Sequence, residues 1–252
     1  MQTNEFVKYL NKYLDVYRYQ DFGPNGLQVE GVSEVKKIAF AVSATVESIE
    51  KSVEWGADAL VVHHGLFWKF HGARAIKGPH GQRIKLLIKN EVNLLGYHLP
   101  LDGHLESGNA AEIAKKIGAK IKGGFGDHEG MPTGVHVEFS PSINANDLQK
   151  KLEKLLGHSV IHAKGRPQDI KTMGIITGGA NSQWKDAFYQ GLDAYLTGEI
   201  SEHDWHDARE AGIHFFAGGH NATEQFGVQS LMKKVQSDHG LECIYFPSEN
   251  PA

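Results

Sequence analysis

Short apolar runs alternate with helix-period segments along nearly the whole chain, and this alternation restricts the fold more than any other feature. KKIAFAV is β-rich; TVESIEKSVEW then places Val46, Ile49 and Val53 on one helical face, and Gly56 can stop the helix. Further strands are predicted at DALVVHH, VNLLGYH, GVHVEFS, KTMGIITGG, DAYLTGE, IHFFAGG and LECIYF. Helices are predicted at GQRIKLLIKN, SGNAAEIAKKIG, NDLQKKLEKLLG, SQWKDAFYQ, EHDWHDAREA and NATEQFGVQSLMKKV. Ser107 or Asn109 is expected to cap the helix that Gly118 closes. Repeated βα units with short connections make an α/β protein with mostly parallel or mixed sheets flanked by helices.

The pattern also repeats within itself. KKIAFAVSAT (36–45) and KTMGIITGGA (171–180) are offset by 135 residues. At the same offset GADALVVHH (56–64) matches GLDAYLTGE (191–199) in Gly, Asp and Ala at the first, third and fourth positions. VNLLGYH and IHFFAGG follow as equivalent strands at a shorter offset. Buried βα units resemble one another by nature, yet two blocks at one offset favour an internal duplication. Two similar α/β domains are therefore expected. The glycine-rich GGFGDHEGMPTG (123–134) suggests a division into 1–125 and 126–252, with the C-terminal segment free to return to the first domain.

At 252 residues the chain can bury a sizeable core. Its net charge of −4 creates no global field for nucleic acid, and a nucleic-acid partner, which would require cations concentrated locally, is not expected. No apolar run approaches the ~20 residues of a membrane span, and MQTNEFVKYLNKYL lacks the apolar core of a secretory signal. Cys243, the single cysteine, sits in a strand pattern and reads as a small core residue. These features point to a reducing cytoplasm.

The chain has 15 histidines, and their placement matters more than their number. Ligands bind open α/β sheets beyond the carboxyl ends of the strands. His63 and His64 lie at such an end, His98 at another with Asp102 four residues on, and His220 at a third with Glu224 four residues on. His220 and Glu224 share one face of a first helical turn. Extended backbone turns His63 and His64 to opposite sides, so one ion is not expected to take both, whereas two ions sharing a bridge would use both. Imidazole with carboxylate suits zinc, iron, manganese or nickel, and the absence of thiolate argues against a closed structural zinc site. Singly, each feature is ordinary; their convergence at three strand ends is what points to a metal.

HHG after a buried strand, YHLPLD, ITGGAN, TGEISEHDWHDAREAGIHFF and AGGHNATEQFGVQSL, with NGLQVEG at 25–31, together resemble the Nif-three-like family, also labelled GTP cyclohydrolase I type two homologues. The resemblance covers essentially the whole chain and matches the short bacterial form. It implies a dinuclear divalent-metal centre in which His64, Asp102 and Glu224 hold one ion, and His63, His220 and Glu224 hold the other. His98 then stays outside the ligand set. It also implies a ring-shaped homohexamer. Many members carry proline after the paired histidines, where this chain has Gly65.

The function expected is a metal-dependent hydrolase acting through a metal-activated water on a nucleotide or another small phosphorylated or cyclic-amide substrate. The alternative is a non-catalytic metal-binding ring, either a metal store or chaperone, or an interaction scaffold. Nothing in the residues selects a guanine, and no GxxxxGK[ST] phosphate loop is present. ITGGAN reads as a tight strand-to-helix turn. Glu199 is a candidate for orienting a ligand histidine, His203 for carrying protons, and Trp68, His98 and Asn25 for touching substrate, with Phe67 and His71 beside Trp68.

Overall fold

The computed structural model describes residues 1–252. In chain order the elements are α1 (Thr3–Tyr13), β1 (Gly26–Val29), β2 (Lys37–Ser43), α2 (Val46–Trp55), β3 (Ala59–His64), α3 (Gly78–Lys89), β4 (Asn93–Gly96) and α4 (Leu99–Asp102). There follow α5 (Asn109–Ile117), β5 (Lys120–His128), β6 (Met131–Asn144), α6 (Ala145–Leu156), β7 (Ile161–Ala163), β8 (Asp169–Ile175) and α7 (Trp184–Tyr189). The chain ends with β9 (Ala194–Thr197), α8 (Glu202–Ala211), β10 (His214–Ala217), α9 (His220–His239) and β11 (Glu242–Tyr245).

Two compact units result, Met1–Leu101 with Val228–Glu249, and Asp102–Gly227 with Asn250–Ala252. This division differs from one drawn at residue 125. The glycine-rich stretch is not a linker: it forms the facing ends and turn of the antiparallel β5–β6 pair. Small residues there permit close strand approach, since a Cβ at Gly124 would meet Pro132 at 2.6 Å.

The first unit holds a five-stranded sheet, β1-β4-β3-β2-β11. Its inner strands are parallel, with β1 antiparallel at one edge. Phe6, Leu10, Phe40, Val61, Leu95 and Leu231 cover one face; Ile49, Leu60, Ile84 and Leu87 cover the other. Burial on both faces explains why these strands read as continuous apolar runs. The second unit holds a six-stranded mixed sheet, β5-β6-β8-β9-β10-β7, whose parallel core is β8-β9-β10. Its two faces are filled around Leu148, Leu152 and Phe216, and around Tyr195, Trp184 and Phe215.

The internal repeat is visible in strand register. Ile38 pairs with Ala59 in the first unit and Met173 with Ala194 in the second, the same pairing displaced by 135 residues. Gly56 ends α2 as read, at φ 76°, and at the other end the structure adds a capping box closed by Thr45 and Ser48. The cap of α5 is a correction. Gly108 occupies that position without a side-chain bond, and neither Ser107 nor Asn109 caps the helix. Cys243 is half-buried in β11, where burial pushes its thiol up to about 11, out of the reactive range.

A buried histidine pair closes the far edge of the second sheet. His162 Nε2–H donates to His214 Nδ1 at 2.8 Å, and His214 Nε2–H donates to the Pro167 carbonyl at 2.6 Å. Burial, then the charges of His214 and Lys164, hold His162 down to about 4; burial also lowers His214. The unfolded chain binds a proton near pH 6.5, which the folded pair resists. Stability from this pair is therefore complete above about pH 6.5 and is lost as pH falls towards 4. Chemical denaturation across that window should show a falling midpoint, and His162→Gln should flatten the fall.

Candidate functional site

In the first unit, β3 delivers His63 and His64 at its carboxyl end. His63 is 1% exposed, and its Nδ1–H donates to the Tyr97 carbonyl at 2.9 Å. A carbonyl only accepts, so the tautomer is fixed and the lone pair lies on Nε2. His64 Nδ1 lies 3.0 Å from the hydroxyl of Ser43, the last residue of β2. His98 follows β4, with its Nδ1 2.8 Å from Asp21 Oδ1. Asp21 also accepts the Phe22 N–H at 2.6 Å, the Asn25 amide at 2.9 Å and the Leu99 N–H at 2.9 Å. Burial pushes this carboxyl up, but His98, Asn25 and Leu99 outweigh it and hold it below the usual carboxylate range. Asp21 thereby orients His98 so that Nε2 faces away from the carboxylate.

The three imidazoles are close neighbours. His63, His64 and His98 each offer a ring nitrogen within 4.8 Å of the others. Although extended backbone would turn His63 and His64 apart, their ring centroids lie 4.6 Å apart. His64 is the last residue of its strand, where the pleat no longer fixes side-chain direction.

The second unit gathers a complementary set. His220 opens α9, and its Nε2 lies 3.2 Å from Glu224 Oε2 one turn later. On its other side, Nδ1 lies 2.5 Å from Glu199 Oε1. The hydrogen bond to Glu224 first, with Glu199 adding, overcomes burial and raises His220 to about 9. Asp102 and Glu224 are 5% and 3% exposed, and they offer carboxylate oxygens within 4.8 Å of one another. Asp102 Oδ1 accepts from the Asn109 amide at 2.9 Å and the Thr177 hydroxyl at 3.0 Å.

Gly178 of ITGGAN makes room for this arrangement. Its φ is +67°, and a Cβ there would stand 2.1 Å from Glu224 Oε1 and 3.1 Å from His220 Nε2. The Gly178 N–H donates to the Thr223 hydroxyl at 3.1 Å, and its carbonyl accepts the Gly198 N–H at 2.9 Å and the Thr197 hydroxyl at 3.0 Å. The turn is thus tight, as read from sequence, and its glycine also leaves the space that Glu224 fills. In the first unit Gly65 has a comparable reason. A Cβ there would meet Gln28 Oε1 at 2.2 Å, and that same oxygen accepts the Leu66 N–H at 2.8 Å.

Some of the other candidates meet a histidine of their own unit and some do not. Glu199 does meet a histidine, as described. Asn25 holds Asp21 with its amide and accepts the His98 N–H at 2.9 Å with its oxygen, so both its ends are used in fixing that loop. Trp68 packs its ring edge to face with His98, centroids 5.0 Å apart. Phe67 packs on His80, and His71 on Phe70. His203 lies on α8, 65% exposed, with Nε2 3.5 Å from Asp204. Sequence reading missed Asp21, Ser43, Asn109 and Thr177. Asp21, Ser43 and Thr177 are small polar residues distinguished by the partner that the fold brings from far along the chain, whereas Asn109 reads from sequence as a helix cap.

Donors of these types, two of the imidazoles with fixed tautomers and two of the carboxylates buried, fit a borderline divalent cation. The model described as Duf34/NIF3 (NGG1p interacting factor 3) matches residues 1–251. A Vibrio cholerae protein named GTP cyclohydrolase 1 type 2 homolog is 40% identical over 255 residues, with all of both chains covered. A Yersinia pestis protein of the same name is 38% identical over 254 residues, again covering both chains completely. Among solved structures, a structural-genomics protein, ybgI, of unknown function, matches with TM-score 0.94 and 36% identity over 100% of each chain. TTHA1606 from Thermus thermophilus matches with TM-score 0.90 and 30% identity, also over 100% of each.

The Gly178 cradle can be tested directly. Gly178→Ala adds a methyl where Glu224 stands and strains a left-handed backbone, so it should cost about 1–3 kcal/mol of stability and displace Glu224. Denaturant unfolding and metal analysis of the purified variant should show both losses. Unchanged metal content beside wild-type stability would disprove the cradle.

Proposed function

The chain belongs to the Duf34/NIF3 family, and on that footing we propose that it binds two divalent metal ions and acts as a metal-dependent hydrolase. Its substrate is a nucleotide or another small phosphorylated or cyclic-amide compound. The observation that carries the metal reading is the pair of buried carboxylates, Asp102 and Glu224, within 4.8 Å of one another. Two buried anions at that separation repel strongly unless positive charge lies beside them. A proton on His220 supplies one such charge, and it occupies the direction from which Nε2 would otherwise bind a cation. Following the family resemblance, His64, Asp102 and Glu224 would hold one ion, and His63, His220 and Glu224 would hold the other.

When bound, the ions supply Lewis acidity and a water acidic enough to act near neutral pH. The residues of the chain do the rest. The Tyr97 carbonyl keeps the His63 proton on Nδ1, so that Nε2 is available as a donor. Glu199 does the same for His220 once Nε2 loses its proton. Asp21 holds His98, and the Trp68 ring lies against it, beside the paired histidines.

A bridging carboxylate serves both ions and a terminal one serves one. Retained metal per chain after mild chelation should therefore fall in the order wild type, Asp102→Ala, Glu224→Ala. A full complement in Glu224→Ala would sink the dinuclear reading. Hydrolysis should be sought by screening the metal-loaded protein against nucleotides and small phosphate esters, with Glu224→Ala as control; no turnover of any compound would favour a metal store. The assembly proposed from the resemblance is a cytoplasmic homohexamer, and light scattering should return about six times the 27.8 kDa chain mass. A monomer at that measurement would refute it.

A further inference from the structure

The family resemblance leaves His98 outside the ligand set, yet the first unit dedicates a buried carboxylate to it. The Asp21 side chain is 2% exposed, and its Oδ1 accepts the His98 Nδ1–H at 2.8 Å. The backbone is held as well, with the Leu99 N–H donating to Asp21 and the His98 N–H to Asn25. The loop that carries Asp21 is itself pinned. Lys69 Nζ donates to the Asp21 carbonyl at 2.6 Å, and Gly23 packs so closely on the Phe67 carbonyl that a Cβ there would stand 2.4 Å from it. Fixing a ring in this way orders the loop and desolvates an anion, and a histidine that only filled space would need neither. A carboxylate that takes the Nδ1 proton of an imidazole, and so leaves Nε2 as the electron-pair donor, is the arrangement that stands behind metal-ligating histidines.

His98 has the neighbours that such a role requires. Its ring centroid lies 5.0 Å from that of His63 and 5.8 Å from that of His64, and these two are 4.6 Å apart. One ring nitrogen from each of the three falls within 4.8 Å of the other two. Nitrogens bound at about 2.0–2.1 Å to one tetrahedral ion stand about 3.4 Å apart, so a modest turn of the rings closes the set. His64, at the end of its strand, is the ring best placed to make that turn. His63 offers Nε2 because the Tyr97 carbonyl holds its Nδ1 proton, and His98 offers Nε2 because Asp21 holds its own. His64 has its Nδ1 against the Ser43 hydroxyl, so Nε2 is its donor as well.

We propose that His63, His64 and His98, with Asp21 behind His98, form a three-imidazole cation site within the first unit, and that this site takes the first divalent ion to reach the chain. It rests on the metal reading above and deepens it: the ligand sets carried over from the family describe a chain with two ions, whereas the three imidazoles describe a chain with one. Three nitrogens without a carboxylate favour zinc, copper, nickel or cobalt over magnesium, calcium or manganese. Three protein ligands also leave a fourth position open to water or an incoming group. A second ion draws His63 and His64 onto different centres, and His98 is the donor that is then given up. Asp21 is a positioning residue in this scheme: it touches no ion and acts through the His98 ring.

The test counts nitrogens at low occupancy. The full-length chain, freed of metal by chelation, receives at most one equivalent of Cu²⁺; nitrogen couplings are read by electron paramagnetic resonance, and affinity by competition with a chelator of known strength. The family ligand sets give one imidazole to one ion and two to the other, so they predict one or two nitrogens, whereas the site proposed here predicts three. Wild type, Asp102→Ala and His220→Ala should all show three. His98→Ala should show two, with affinity lowered about tenfold. His98→Gln, whose amide can still reach Asp21, should also show two, and it serves if His98→Ala does not fold. Asp21→Asn should keep three nitrogens and lose about 10–100-fold in affinity, the usual effect of weakening the partner of a ligand histidine. A purely structural Asp21 would lower the unfolding midpoint and leave the affinity of the folded chain unchanged. One or two nitrogens in wild type, an unchanged count in both His98 variants, or loss of the first ion in Asp102→Ala would overturn the proposal. If two ions per chain still bind at saturation, only the three-imidazole site falls; if wild type binds no divalent ion, the metal reading falls with it.

Discussion

Burying two carboxylates side by side is the condition around which the second unit is built. Asp102 and Glu224 are almost fully buried, and an uncompensated anion in such a place is costly. The surrounding structure consists largely of answers to that cost. Thr177 and Asn109 donate to Asp102, and His220 brings a proton to Glu224. Asn109 is drawn into this task so completely that it leaves the cap of its own helix to Gly108; its oxygen meanwhile accepts the Gly227 N–H at 2.7 Å. Gly178 gives up a side chain so that Glu224 has somewhere to stand. Helix start, turn and charge are one problem solved together.

The duplicated βα arrangement explains where the donors fall. Parallel strands require crossovers, which bring the carboxyl ends of neighbouring strands to a common edge. In the first unit β3 ends in His63 and His64. Displaced by 135 residues, the corresponding positions of the second unit are Gly198 and Glu199. There the glycine lets the chain pass close to Gly178 and His220, and the glutamate holds the His220 ring. One copy thus presents imidazoles directly, while the other uses the same positions to support an imidazole carried on a helix.

Orientation of the rings is entrusted to partners far away in sequence. A carbonyl that follows β4 fixes the tautomer of His63, and a loop aspartate holds His98 through a network that also binds its own neighbours. Such contacts raise the precision of a donor more than its strength, because a neutral imidazole is a ligand only if the correct nitrogen bears the lone pair.

What the sequence determined by itself was local. Strand and helix periods, the Thr45 and Gly56 boundaries of α2, the 135-residue offset and the placing of His63, His64, His220 and Glu224 at element ends all follow from rules that act within a few residues. Tertiary structure decided the rest. It made the glycine-rich stretch a strand pair instead of a linker, sent β11 back beside β2, and took Asn109 from its cap. It also gave Asp21 a histidine to hold. The return of β11 to β2 and the contact of Asp21 with His98 join residues far apart in the chain, where chain entropy opposes the contact and only burial of the whole core makes it favourable.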